Sequence, residues 1–366
     1  MRTALCRSTP ALLTAVLLLV QGSTGFLHAS APFDAVRALV QQALEATGAP
    51  GISVAIGGDG AVQWAEGFGL ADVEQQVAVT PDTVFRIASI SKPITATAVM
   101  QLVERGRVAL DDPIQKYVPS FPSKGEQRIT IRHLLTHTSG IRHYQGNEFN
   151  QREPFASVDA AIAVFRDDPL LFAPGSRYSY STYGYNLLAG VVERASGLTF
   201  EAYLRDRVWG PAGMTHTVLE HPQDIVMGRA RQYLRGPGPA RVLNAPYADL
   251  SIKWAGGGII STASDLVRFE LALERGVLVR PATLEAMRTS ARLTDGSLTG
   301  YGLGWMVRTA PPGQRTYAHS GGATGGTTYL LADEASGHTV AILTNVQDAP
   351  GLGDLARAIA AAATTP

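Results

Sequence analysis

Ser89-Ile90-Ser91-Lys92 decides the reading of this chain, because the residues on either side change their pattern at that point. Thr83-Val84-Phe85-Arg86-Ile87-Ala88 reads as an extended approach, and from Pro93 to Glu104 apolar residues recur at helical spacing up to Gly106. A helix therefore begins at the motif. Proline fits only a first helical turn, where its missing N–H is not needed, so Ser89 belongs at or just before the helix N-terminus. A serine and a lysine three residues apart then share one helix face. Serine supplies a hydroxyl nucleophile. Burial and the helix dipole favour a neutral Lys92 as proton acceptor, and the free Ser89 N–H is placed to hold an oxyanion. The chain has only four lysines, at 92, 116, 124 and 253, and only Lys92 follows a serine at this spacing. Arginine could not take its place, since a guanidinium does not deprotonate in a protein. Alone, the tetrapeptide reads better as a capping serine beside a surface lysine, so the rest of the chain must decide.

The 366 residues, 45% hydrophobic and 17% charged, suffice for a large core. Lys plus Arg equals Asp plus Glu at 31 each, which gives no basic surplus for nucleic acid. Arg2 and Arg7, the apolar run 11–20 and small residues over 23–31 read as a secretory signal peptide spanning 1–31, and hence as a periplasmic or secreted protein. The run is short for a spanning helix, so an uncleaved membrane anchor is the lesser alternative and stable membrane insertion is not expected. The only cysteine, Cys6, lies in that leader, which excludes a mature thiol nucleophile or thiolate metal site.

Residues 33–47 carry a helical stripe closed by Gly48, and 51–56 and 61–68 read as strands joined by Gly57-Gly58-Asp59-Gly60. From 100 to about 250 the pattern is helices and loops, with helices expected at 186–195 and 200–208. Thr262-Ala263-Ser264-Asp265 starts another helix, strand signals follow at 302–308, 316–320, 327–331 and 339–344, and a last helix covers 352–363. The expected fold is an α/β domain built from 33–99 and 255–363, with an inserted all-α domain over 100–254. Its antiparallel sheet should be covered on both faces by helices from the two chain ends, with the site between the domains.

Two further segments carry chemistry. Tyr178-Ser179-Tyr180-Ser181-Thr182-Tyr183 joins a loop to a helix, and a phenol facing Lys92 could pass protons during acylation. In His319-Ser320-Gly321-Gly322 the glycines would let an extended substrate reach a strand edge, with the Gly322 N–H as second oxyanion donor. His319 would bind a substrate carboxylate or tune the tyrosine. His133 and His137 have a zinc-like spacing, but Leu134-Leu135-Thr136 supplies no catalytic glutamate, so no metal is assigned. No nucleophile elbow, Walker lysine or dinucleotide loop is present, and Gly256-Gly257-Gly258 reads as close backbone packing. No cofactor is called for.

Taken in order, Ser89-x-x-Lys92, Tyr180-Ser181-Thr182 and His319-Ser320-Gly321-Gly322 resemble the three active-site elements of the serine beta-lactamase and penicillin-binding-protein-like family, near its class C enzymes, DD-peptidases and esterases. The resemblance covers about residues 34 to 360. Arg86-Ile87-Ala88-Ser89, Ser139-Gly140-Ile141-Arg142-His143-Tyr144 and Tyr180 to Tyr185 look most like its mitochondrial peptidase branch, which can form filaments. The resemblance implies the beta-lactamase/transpeptidase-like fold, Ser89 as nucleophile, Lys92 as base and Tyr180 as second acid/base. It places the oxyanion hole at Ser89 and Gly322, and the substrate contacts at Thr182, His319, Ser320 and Gly321. Two departures stand out: Thr182 replaces the usual asparagine of Y-x-N, and His319 replaces the permanently charged lysine of K-T-G, so strong beta-lactam binding is in doubt. The expectation is an exported serine hydrolase cleaving an amide or ester of a peptide or small molecule, foremost a peptidase. Esterase, D-Ala-D-Ala carboxypeptidase or beta-lactamase activity is the alternative. A self-associating scaffold with the same fold is the reading from another class.

Overall fold

A computed structural model of the protein describes residues 33–126, 128–238, 241–310 and 314–364. The signal-peptide reading of 1–31 lies outside the described residues. The first helix, α1 (Asp34–Thr47), buries Val36 and Val40 and ends where Gly48 turns left-handed at φ 63°. The next strands, β1 (Gly51–Gly58) and β2 (Ala61–Asp72), meet at Asp59 and Gly60, both at positive φ, as a tight hairpin turn of compatible twist requires. A short β3 (Val77–Ala78) ends this half of the sheet. The other half is β4 (Met306–Ala310), β5 (Gln314–Ala323), β6 (Gly326–Asp333) and β7 (His338–Thr344). The strand order is β3-β2-β1-β7-β6-β5-β4, antiparallel throughout, with Ile52 opposite Thr344 where the halves join.

Alternation sorts the sheet into two cores. Ile52, Val54, Ile56, Leu331 and Ile342 pack with α1 and the C-terminal helix, whereas Ala55, Leu330, Ala341 and Leu343 face the other way, toward Leu266, Val267 and Leu271. The helix at 262 forms as expected, over Ala263–Glu274, with the Thr262 hydroxyl accepting from the Asp265 N–H at 3.1 Å. The C-terminal helix covers Leu352–Ala363. α1 and the C-terminal helix lie on the same face, whereas helices from the two ends of the chain were expected to cover both faces. β1 and β7 are neighbours in the sheet, so the helix leading into β1 and the helix following β7 come out side by side.

The Ser89-x-x-Lys92 motif sits across from this sheet. Ala88–Ile90 forms a 3-10 turn that runs into α2 (Ser91–Glu104), whose first twelve residues are all buried. Against it packs α3 (Thr182–Ser196), four residues longer at its start than the apolar pattern predicts. Tyr183 and Tyr185 are fully buried helical residues and not part of a loop, and the Ser181 hydroxyl caps the helix by accepting from the Gly184 N–H at 3.3 Å. The expected helix at 200–208 begins at Phe200 but widens into a π-turn over Arg205–Trp209.

Candidate active site

Ala88, immediately before the serine, is held at φ 50°, a left-handed conformation that disfavours a residue with a Cβ by about 1 kcal/mol. Its surroundings impose that turn. The Ser91 hydroxyl donates to Ala88 O at 2.7 Å, and Thr328 on β6 donates to Ile87 O at 2.9 Å. Arg86 forks onto buried Glu220, at 2.7 and 3.1 Å, while donating to the carbonyls of Thr324 and Ala248. Strand β5 crosses the turn at Gly321, where a Cβ would lie 2.5 Å from Ile87 O and would also collide with Thr328 Oγ1. Glycine is needed there because backbone approaches backbone. Gly322, next along, has no atom within 4 Å of the place a Cβ would take and opens onto free space.

Lys92 is completely buried. Its Nζ lies 3.0 Å from Ser89 Oγ, 3.1 Å from Thr182 Oγ1 and 2.6 Å from Gly256 O. No carboxylate is among these partners. Burial, then the charge of Lys253, drives its pKa well below that of an ordinary lysine. A neutral amine has two hydrogens and one lone pair: Gly256 O and Thr182 Oγ1 take the hydrogens, and the lone pair is left for the Ser89 hydroxyl proton. The glycine run at 256 is close packing, as expected. A Cβ on Gly256 would stand 2.5 Å from Thr182 Cγ2 and 3.5 Å from Nζ.

The half-buried Tyr180 completes the group, its ring 4.7 Å from Lys92 Nζ and its phenol close enough to the Ser89 side chain to interact with it electrostatically. Burial raises its pKa, so the hydroxyl stays protonated at neutral pH. Thr182 is buried behind Lys92, and its N–H donates to His143 Nδ1 at 3.2 Å. His319 is 1% exposed, with both ring nitrogens engaged inside the protein. A carbonyl can only accept, so Nδ1–H donates to Ser320 O at 2.7 Å, and Nε2 accepts from the Tyr301 hydroxyl at 2.9 Å. Burial pushes this imidazole down to about 3, and it is neutral at any physiological pH. Ser320 and Gly322 are exposed on β5. β4 pairs with β5 only over 314–318, which leaves the β5 edge beyond Ala318 without a strand partner on that side among the described residues.

Several neighbours carried only weak signals in the sequence. His137, also at positive φ, lies 4.3 Å from the Tyr180 ring and 4.8 Å from that of Tyr301. It accepts from the Ser181 N–H through Nδ1, and its buried Nε2 finds no hydrogen-bond partner. His133 instead closes a capping box with Thr130, so these two histidines serve different surroundings. Lys253, buried and pushed down to about 7 by desolvation, donates to Phe149 O at 2.8 Å and lies 4.3 Å over the Phe149 ring. Its scarcity as one of four lysines, beside the glycine run, was the only clue.

The Beta-lactamase family model matches residues 36–364. The human mitochondrial serine beta-lactamase-like protein LACTB is 34% identical over an alignment covering 81% of this chain and 71% of that protein. Esterase EstB of Burkholderia gladioli is 30% identical, over 84% of this chain and 89% of its own. Among solved structures, the octameric penicillin-binding protein homologue from Pyrococcus abyssi superposes with a TM-score of 0.76 at 29% identity, over 88% of this chain and 75% of that one. With a fold, a serine-lysine-tyrosine group and relatives that all agree, the chain belongs to the beta-lactamase family of serine hydrolases.

Proposed function

We propose that Ser89 attacks the carbonyl of an amide or ester and passes through an acyl-enzyme, and that the preferred substrates are extended, peptide-like chains. The neutral Lys92 amine 3.0 Å from Ser89 Oγ carries this reading. Lys92 takes the hydroxyl proton as the new C–O bond forms. The N–H groups of Ser89 and Gly322 hold the resulting oxyanion. Tyr180, kept protonated by burial, gives its proton to the departing amine or alcohol and regains one from the Lys92 ammonium. Water then reverses the sequence to release the acid. The unpaired β5 edge beyond Ala318 suits an extended substrate that adds as a further strand. Thr182 is occupied by Lys92 and His319 is turned inward, so neither is free to read a beta-lactam, and His319 acts by fixing Ser320 and Tyr301. The esterase relative favours ester cleavage as the second activity of the same site.

The same reading makes 33–99 with 255–363 the sheet domain, 100–254 the insertion, and 1–31 an export signal. Among the described residues no helix is long and apolar enough to cross a membrane. Self-association follows the octameric homologue. Intact-mass spectrometry after incubation with a serine-reactive phosphonate, alongside a panel of peptides, esters and beta-lactams, tests the mechanism. One adduct per chain, absent in Ser89→Ala, is expected, and an adduct retained by Ser89→Ala overturns the assignment.

A further inference from the structure

Away from Ser89, an open-mouthed cavity of about 580 Å³ lies between the short helix Ile131–Leu135 with the loop after it and the hairpin that follows Met287. Its volume falls within the range of small-molecule sites, roughly 300 to 1,000 Å³. Leu110, Leu293 and Leu303 supply an apolar wall, and no carboxylate lines it. Its polar side chains are one histidine, two arginines and the hydroxyls of Thr136, Thr138, Thr289, Ser290 and Thr294. His133 accepts from the Thr130 N–H through Nδ1, so its proton is on Nε2, 3.3 Å from where a Cβ of Gly175 would stand at the cavity wall. Arg132 is neutralised by a two-pronged pair with Asp111 at 2.8 and 3.0 Å. Arg292 is bound only to Gly296 O, at 2.9 Å, and no described carboxylate pairs with it. One uncompensated guanidinium beside a neutral N–H donor and an apolar wall matches a single negative charge on a compact apolar body. A dianion would be left half-neutralised.

The cavity wall is wired to the catalytic tyrosine. Thr294 N–H donates to Gly175 O at 3.0 Å, and Gly175 N–H donates to Thr138 O at 2.8 Å. Next to Thr138 stands His137, whose ring packs on Tyr180 and whose carbonyl accepts from the Ser179 N–H at 2.9 Å, one residue before Tyr180. A ligand resting on Thr138 and Thr294 therefore bears on the crosspiece that positions the phenol.

We propose that this cavity is a second binding site, for a small carboxylate with an apolar body, and that its occupation changes acylation at Ser89 through the Thr138-to-Ser179 crosspiece. The second half rests on the serine-lysine reading above, and the first does not. Isothermal calorimetry on the full chain with 4-phenylbutyrate reads occupancy whether or not Ser89 turns over. The expected result is one site with Kd at or below about 1 mM, weakened about tenfold in Arg292→Gln and for the neutral amide 4-phenylbutyramide. Binding should be lost in Ala286→Trp, which fills the cavity from an exposed position on its rim. Phosphonate labelling of Ser89 should change by at least about twofold with saturating ligand in wild type and not in Ala286→Trp. The binding site is overturned if no heat is seen to about 10 mM, if Ala286→Trp binds like wild type, or if inorganic phosphate binds as well as the aryl acid. Saturable binding with an unchanged labelling rate overturns the coupling.

Discussion

Lys92→Met tests the neutral-lysine argument with the least disturbance, because methionine keeps the unbranched shape and removes only the amine. Arginine would be a poorer probe: Lys92 has no exposed surface, so a larger, permanently charged group would strain the fold as well as remove the base. Two independent magnitudes follow. General-base loss is worth a factor of about 10² to 10⁴, so stopped-flow acylation by an activated ester should slow by at least a hundredfold. The second is a stability slope. In the unfolded chain Lys92 titrates near 10.5, whereas in the fold it stays neutral well below that. Between those two values the unfolded state binds one proton more than the folded state, so the Lys92 contribution to stability rises with pH, by about 1.4 kcal/mol per unit. Methionine has no such slope. Urea melts at pH 7 and 9 should therefore show wild type gaining stability on Lys92→Met over that interval. A flat difference would mean that Lys92 is protonated in the folded protein. Acylation within about threefold of wild type would mean that another group activates Ser89.

Gly321→Ala should destabilise the protein by about 1 to 3 kcal/mol in urea melts and slow acylation, since its Cβ would press on Ile87 O and Thr328 Oγ1. Gly322→Ala should melt like wild type yet alter substrate preference, and equal melting losses in both would refute the contrast. His319→Lys should cost activity on carboxylate-bearing and neutral esters alike, because the ring is enclosed; a selective gain for the carboxylate substrate would show that residue 319 reads substrate. With His319 at about 3 in the fold, against 6.5 unfolded, stability should fall as pH drops through that window. Paired melts of wild type and His319→Gln should show the variant losing less.

The sequence exposes those parts of the site whose spacing is short. Ser89 and Lys92 meet because a helix places residues three apart on one side, whereas Tyr180 is singled out from the tyrosine-rich loop only by the resemblance of Tyr180-Ser181-Thr182 to a family motif. What it does not expose is contact between residues far apart in the chain. Gly256 O receives the Lys92 proton from 164 residues away, and Thr182 from 90. His137, one of a weak histidine pair in the sequence, becomes a packing partner of Tyr180 only when two loops are brought together. His319 shows the limit of matching by position: a residue aligned with a familiar cation is here turned inward by Ser320 O and Tyr301. That both terminal helices cover one face is not visible in the sequence, because it depends on β1 and β7 being neighbours, a pairing between segments almost 300 residues apart.

On the proposed reading, the stretch of β5 beyond Ala318, unpaired on one side among the described residues, has an evolutionary consequence. A chain that docks there is gripped through its amide groups, which every peptide shares, and the grip comes from backbone that no side-chain substitution removes. Discrimination is thereby left to surrounding loops, which can be exchanged without touching Ser89, Lys92 or Tyr180. One frame can then drift between unlike substrates while its reaction stays the same, so the preference of any one descendant has to be sought in its loops.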